Sequence, residues 1–327
     1  MNKIDSFFSN FTLRLLEKYP RKTKLYIYAD YFELVALFNK GTVIGIEEML
    51  DRLNDEGILC LIIEDEDIDF GNKSLVNDTE EAFVIEVFEL INQRSNSFEN
   101  DYPFSVTNSN KIEVKNELND RHKLYIFLLL SSNLNLFKTF QTDLTTEFEI
   151  VAQEALKKYL PDFAIIKRFG KNTEFQGYAV DKIRQLAKMM SVEVDEFYLD
   201  SVSQQGTQDL GLDIVGWLPL KDNIGNYISI FGQCACGKDW NKKLNETRRY
   251  NKFLKIYLSE INHSLFIPYS LINYNNSAFF EHHEFGESIL LFERKRILSL
   301  IDNENIYNNL NSKELVEKCI SFEESIV

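Results

Sequence analysis

The spacing of apolar positions changes several times along the chain, and each change predicts an element. In "IGIEEMLDRLNDEG" (Ile44–Gly57) the residues Ile46, Met49, Leu50 and Leu53 recur at helical spacing, and Gly57 supplies a stop. "EEAFVIEVFELINQR" (Glu80–Arg94) predicts a second helix. "LYIFLLL" (Leu124–Leu130) is the most apolar segment, yet it falls well short of the roughly 18 residues that a membrane-spanning helix needs. It predicts a core helix. "KLYIYADYFELVALFN" (Lys24–Asn39) is apolar with acidic breaks, and "ILCLIIED" (Ile58–Asp65) reads as a buried strand leading into an acidic loop. Ser95–Asn119 reads as a polar connection around the turn-like "DYPF".

Beyond Gln141 the pattern becomes more regular. Asp143 or Thr145 can cap a helix whose apolar positions are Phe148, Val151, Ala152, Ala155 and Tyr159, and Pro161 ends it. Asp181–Met190 predicts a further helix through Ile183, Leu186 and Ala187. "GLDIVGWL" and "YISIFGQCA" are β-prone runs joined by the turn-rich "PLKDNIGN", a hairpin signature. A charged helix over Trp240–Ser259 and a final helix near "ILLFERKRILSLID" complete the expectation. The mixture is α/β. It divides into an N-terminal mixed domain, 1–140, read as a recognition, docking or regulatory unit, and a second domain, 141–327.

Charge restricts the function classes. With 51 acidic against 36 basic residues the net charge is −15, which argues against a dedicated nucleic-acid binder unless a local basic patch exists. One does. Lys238, Lys242, Lys243, Arg248, Arg249, Lys252 and Lys255 face only Asp239 and Glu246, a local balance of +5. Such a run suits a phosphate backbone, or a solvated helix face. Four cysteines (Cys60, Cys234, Cys236, Cys319) are too few and too uneven for a disulfide framework, and the N-terminus lacks a signal-peptide pattern, so the expected location is cytoplasmic.

Candidate chemistry centres on the hairpin. Asp213 is a lone acid in an apolar strand. A turn near Asp222–Asn223 makes facing residue numbers sum to about 445 or 446, so Asp213 lies opposite Gly232 or Gln233, with Gly232 leaving room beside them. Two oxygen donors there suit a hard divalent cation such as Mg²⁺. Lys238, just past the second strand, can meet developing negative charge, and Lys242 and Lys243 are alternatives. Other readings remain open. Asp213 can be a structural partner of Arg168 or Arg184, and Asp209 can shape the turn before the strand. Cys234 and Cys236 with His282 and His283 suggest zinc. Their spacing is shorter than zinc pairs usually show, however, and strand alternation puts both cysteines on the face opposite Gln233.

Asp213, a hairpin, then Gln233 with a nearby lysine resembles the PD-(D/E)XK, or restriction-endonuclease-like, nuclease superfamily. "DLGLDIVGW" followed by "GQCACGKDWNKK" looks like its bacterial restriction or phage-defence branch. The resemblance spans about residues 141–300 and implies a central mixed sheet flanked by helices. It further implies an upstream helical acid, placed here at Glu149, with Asp213, Gln233 and Glu149 holding Mg²⁺ (or Mn²⁺) and Lys238 polarising the phosphate or the attacking water. The implied activity is DNA endonuclease cleavage by metal-activated water, in restriction or anti-phage defence. Cutting both strands needs two sites, so a homodimer or partner subunits are compatible with it. One departure stands out: Ala235 occupies the usual lysine position, two residues after Gln233. The superfamily is known to move this lysine. A decayed site, leaving a non-catalytic nucleic-acid-binding or adaptor protein, is the runner-up.

Overall fold

The computed structural model describes residues 2–323 apart from 16, 61–72, 108, 171, 203–209, 258, 286–288 and 303–304. The chain divides into two compact units. The first comprises Met1–Gln141, Tyr269–His282 and Glu304–Val327, and the second comprises Thr142–Pro268 and His283–Asn303. The junction near 140 coincides with the boundary read from the sequence, while two C-terminal segments assigned there to the second domain return to the first unit.

The first unit is mainly helical. Its helices are α1 (Arg21–Phe38), α2 (Ile46–Asp55), α3 (Lys73–Phe98) and α4 (Asp120–Ser132), with a C-terminal helix at Lys313–Ser321. Helix α4 is buried continuously from Leu124 to Ser132, because its apolar run Leu124–Leu130 leaves no polar face for solvent. A guanidinium is buried with it. Arg94 donates to Asp30 (2.8 Å) and Glu33 (2.7 Å), and the Tyr102 and Tyr125 hydroxyls also donate to Glu33. Burial works against the Arg94 charge, but Glu33 and Asp30 outweigh it, so its pKa stands above the ordinary value.

Two expectations change here. Ser95–Asn119 contains an antiparallel hairpin, β1 (Phe104–Thr107) with β2 (Lys111–Val114), in which Phe104, Ile112 and Val114 are buried. Each strand alternates apolar and polar residues over only four positions, too few to stand out within a polar segment. Residues 58–60 are helical, and the rest of the predicted strand Ile58–Asp65 lies outside the described residues. Short apolar runs do not distinguish strand from helix by periodicity.

The second unit is built on a five-stranded mixed sheet. Helix α5 (Gln141–Tyr159) precedes β3 (Ile165–Arg168), and α6 (Ala179–Met189) lies between β3 and β4 (Ile214–Trp217). Strands β5 (Ser229–Cys234), β6 (Ile261–Phe266) and β7 (Ile289–Phe292) complete it, in the order β7-β6-β5-β4-β3. The first three strands form an antiparallel meander, and β6 and β7 run parallel to β5. Ile183, Leu186 and Ala187 of α6 share one core with Val215, Trp217 and Phe231 of the sheet. At Gly216 the chain approaches Leu156 and Leu160 so closely that an added Cβ would lie 3.1 Å from Leu160 Cδ1, which brings the end of α5 against the sheet.

Three further corrections apply. Tyr159, expected on the buried stripe of α5, is 48% exposed. "ILLFERKRILSLID" begins as strand β7 and turns helical only at Arg294, as α7 (Arg294–Leu300). The predicted helix Trp240–Ser259 is instead two 3₁₀ turns (Trp240–Lys243 and Glu246–Arg249), one helical turn (Tyr250–Phe253) and a two-residue strand. Asn241, Asn245 and Asn251 compete for backbone hydrogen bonds and lower helix propensity throughout the segment.

Candidate functional site

Strands β4 and β5 pair with Ile214 opposite Gly232 and Trp217 opposite Ser229. Asp213 precedes β4 by one residue, and Gln233 follows Gly232, so the two polar positions meet at one end of this pair. The Asp213 N–H donates to the Gly232 carbonyl (3.0 Å), and its own carbonyl accepts from the Phe169 N–H (2.7 Å). Oδ2 of Asp213 accepts from the Cys234 N–H at 2.6 Å. The carboxylate is therefore tied to β5 itself. Lys221 (φ 60°) and Asn223 (φ 61°) provide the left-handed residues of the connecting turn.

Gln233 is 4% exposed. Its Nε2 donates to Glu246 Oε2 (2.7 Å), while its buried Oε1 has no hydrogen-bond partner. An orphaned buried acceptor costs about 1–3 kcal/mol, and native structures keep few of them. A cation that accepts an oxygen lone pair would relieve it. Gly211 (φ +81°) permits the Glu246 contact: a Cβ there would lie 2.5 Å from Glu246 Cβ and 2.7 Å from its Oε2. Gly232 has a different role from the one expected. It leaves no room, since a Cβ would lie 2.7 Å from Phe266 Cε2 and 2.8 Å from Ser264 Oγ; it is a site of close strand packing.

Three charges act on the two nearby thiols. Burial raises the pKa of Cys234 and of Cys236; Asp213 and Glu149 add to the rise, and Lys243 opposes it. Glu149 on α5, Asp213 at the start of β4 and Lys243 on the 3₁₀ turn therefore share one electrostatic neighbourhood. Glu149 also lies 3.9 Å from Arg168. Lys238 and Lys243 are both exposed, and the Lys243 charge acts on the two thiols. The arginines weighed as partners of Asp213 engage other acids, Arg168 with Glu149 and Arg184 with Glu196 (2.8 Å). Asp209 lies outside the described residues. Of the zinc set, Cys234, Cys236 and His283 belong to the second unit and His282 to the first. His283 lies 3.4 Å from Glu284.

The basic run is mostly displayed to solvent. Lys238, Lys242, Lys243, Arg249 and Lys252 are exposed, with Lys242 3.3 Å from Asp239 and Lys252 5.9 Å from the Tyr198 ring centroid.

Sequence reading missed two participants. Glu246, counted only as an acid within a basic run, holds the Gln233 amide. His263 on β6 is buried, and its Nδ1 is 2.9 Å from Thr247 Oγ1. Burial, then the Arg248 charge, lowers its pKa to about 4, so the ring is neutral at pH 7. One 3₁₀ turn thus ties Gln233 through Glu246 and His263 through Thr247. An acid isolated among cations and a histidine in a strand are the available signals, and both are weak.

Gln233 and Asp213 fit a hard cation in donor type, with Glu149 near enough to act on the same thiols. Among the described residues no group of three or more His, Cys, Asp or Glu is arranged to hold a metal ion, so the candidate set is two or three oxygens, one of them an amide. No family model matches the chain, and no curated protein or solved structure matches it either.

Proposed function

We propose that the second unit is a Mg²⁺-dependent DNA endonuclease (Mn²⁺ substituting) that hydrolyses phosphodiester bonds, in bacterial restriction or anti-phage defence. The observation that carries the reading is the orphaned Oε1 of Gln233 at the strand end shared with Asp213. Asp213 and Gln233 hold the ion, and Glu149 assists from α5. Bound there, Mg²⁺ would supply Lewis acidity toward phosphate oxygen and lower the pKa of water. The Lys243 ammonium, or Lys238 on its exposed turn, stabilises negative charge on the phosphate. The exposed cations of residues 238–252 bind the DNA backbone through counterion release. A five-stranded mixed sheet in this unit, with an acid-bearing helix before it, supports the reading at the level of α/β architecture.

Supercoiled plasmid incubated with protein and Mg²⁺ tests this. Nicked or linear product from the parent and none from Asp213→Ala is expected; equal cleavage by both contradicts the assignment.

A second reading, a nucleic-acid-binding or adaptor protein on a decayed nuclease fold, is favoured by Ala235. It stands fully buried where the superfamily usually carries lysine. That reading requires plasmid binding with no cleavage in either metal.

A further inference from the structure

Beside the 3₁₀ turn that carries Glu246 and Thr247, the second unit contains a cavity of about 580 Å³. Arg248, Asn251, Ser259, Glu260, Asn262 and His263 give it a polar side, and Leu254, Ile256 and Ile261 an apolar one. Two of its polar groups lack partners within the protein. His263 is 3% exposed with Nε2 unpaired, and the buried Ser259 Oγ also has no hydrogen-bond partner. Nδ1 of His263 is committed to Thr247, which fixes the ring while leaving the opposite nitrogen for something else.

The lining narrows the ligand. About 580 Å³ lies within the roughly 300–1,000 Å³ range of small-molecule sites, far more than a lone phosphate occupies. Arg248 offers a cation to an acidic group on the ligand. Its Nε–H donates to Asn245 Oδ1 (2.9 Å), which orients the guanidinium. The apolar side suits a weakly polar body on the ligand. Asn251, Asn262 and the neutral imidazole suit a hydrogen-bonding edge; one N–H of Asn262 Nδ2 donates to the Ser229 carbonyl (3.2 Å), which leaves the second N–H on that nitrogen as well as the amide oxygen.

We propose that this cavity binds a single nucleotide, its phosphate at Arg248 and its base edge at Asn251, Asn262 and His263, against Leu254, Ile256 and Ile261. The ligand is either a free nucleoside monophosphate or one nucleotide of a strand. The inference does not rest on the nuclease reading, since none of these groups is in the Asp213 set.

The test is calorimetric titration of the full chain in EDTA, which silences any metal centre. The titrants are the four deoxynucleoside monophosphates, the matching nucleosides, inorganic phosphate and 5′-phosphorylated dinucleotides. One-to-one binding of at least one monophosphate is expected for a free ligand, and of a dinucleotide alone for a strand-borne one. Arg248→Ala and the exposed-site variant Asn251→Ala should each weaken it by about tenfold or more, with thermal melting unchanged for Asn251→Ala. No binding by either class at millimolar concentration overturns the proposal. So does affinity unaltered in both variants, or inorganic phosphate binding as tightly as the monophosphates.

Discussion

Glutamine at position 233 has a physical reason that Gln233→Glu exposes. The native amide donates from Nε2 to Glu246 Oε2 at 2.7 Å. A carboxylate in its place faces another carboxylate at that distance. Two unit charges about 3 Å apart repel by roughly 5 kcal/mol at an effective dielectric constant of 20. The alternative is for the pair to retain one proton. Holding a carboxyl protonated at pH 7 costs about 4 kcal/mol relative to its ordinary pKa near 4.3. The cheaper route wins, so a destabilisation of about 3–4 kcal/mol is expected at pH 7. The new pair titrates as a unit, with its upper pKa raised above the unfolded value. The folded variant then binds more protons than the unfolded chain, so the penalty is absent below the unfolded pKa. It grows by about 1.4 kcal/mol per pH unit as pH rises toward the folded value. Urea denaturation at pH 5 to 8 in chelator measures this. Fluorescence reports on the right unit, because both tryptophans, Trp217 and Trp240, lie in the second unit. The swapped double variant Gln233→Glu/Glu246→Gln should recover to within about 1 kcal/mol of the parent. A Gln233→Glu penalty flat with pH, or unrelieved by the swap, refutes the reasoning.

Three further outcomes follow from the geometry. Arg94→Met strands Asp30 and Glu33 in the core of the first unit and should cost about 3–5 kcal/mol by circular-dichroism urea melts, with partial recovery on adding Asp30→Asn and Glu33→Gln; a loss under 1 kcal/mol contradicts the buried pairing. Gly211→Ala combines a left-handed backbone with a clash at Glu246 and should cost about 2 kcal/mol or more by fluorescence melts; a neutral result means Glu246 does not pack there. Burial holds Cys236 and Cys319 as thiols, and half-buried Cys234 also has a raised pKa, so a thiol reagent at pH 8 should label exposed Cys60 rapidly, Cys234 slowly, and Cys236 and Cys319 only on unfolding; rapid labelling of more than one thiol contradicts this.

Much of the second unit was readable in the sequence because its signals are local and reinforce one another. The stripe from Phe148 to Ala155, the β-prone apolar run around Ile214–Trp217 and the turn at Asp222–Asn223 each indicate an element, and together they set a register with Asp213 beside Gln233. Segment 240–259 failed because charge periodicity resembles a helix face even where asparagines and 3₁₀ turns interrupt it. The Gly232 role was misread because its neighbour, β6, comes from 30 residues downstream. Glu246 and His263 were invisible for a related reason. Both owe their positions to β6 and to a 3₁₀ turn lying near β5, arrangements that no periodicity encodes. The C-terminal returns to the first unit are likewise long-range contacts.

Calorimetric titration of Mg²⁺ and Mn²⁺ into the full chain addresses the metal centre most directly. If the Asp213 carboxylate and the Gln233 Oε1 grip one hard ion, the parent should show one binding event per chain, lost in Asp213→Ala and weakened in Gln233→Ala. Heat that is identical in the parent and Asp213→Ala, or no heat from the parent at millimolar Mn²⁺, would contradict the metal centre and the enzymatic reading built on it.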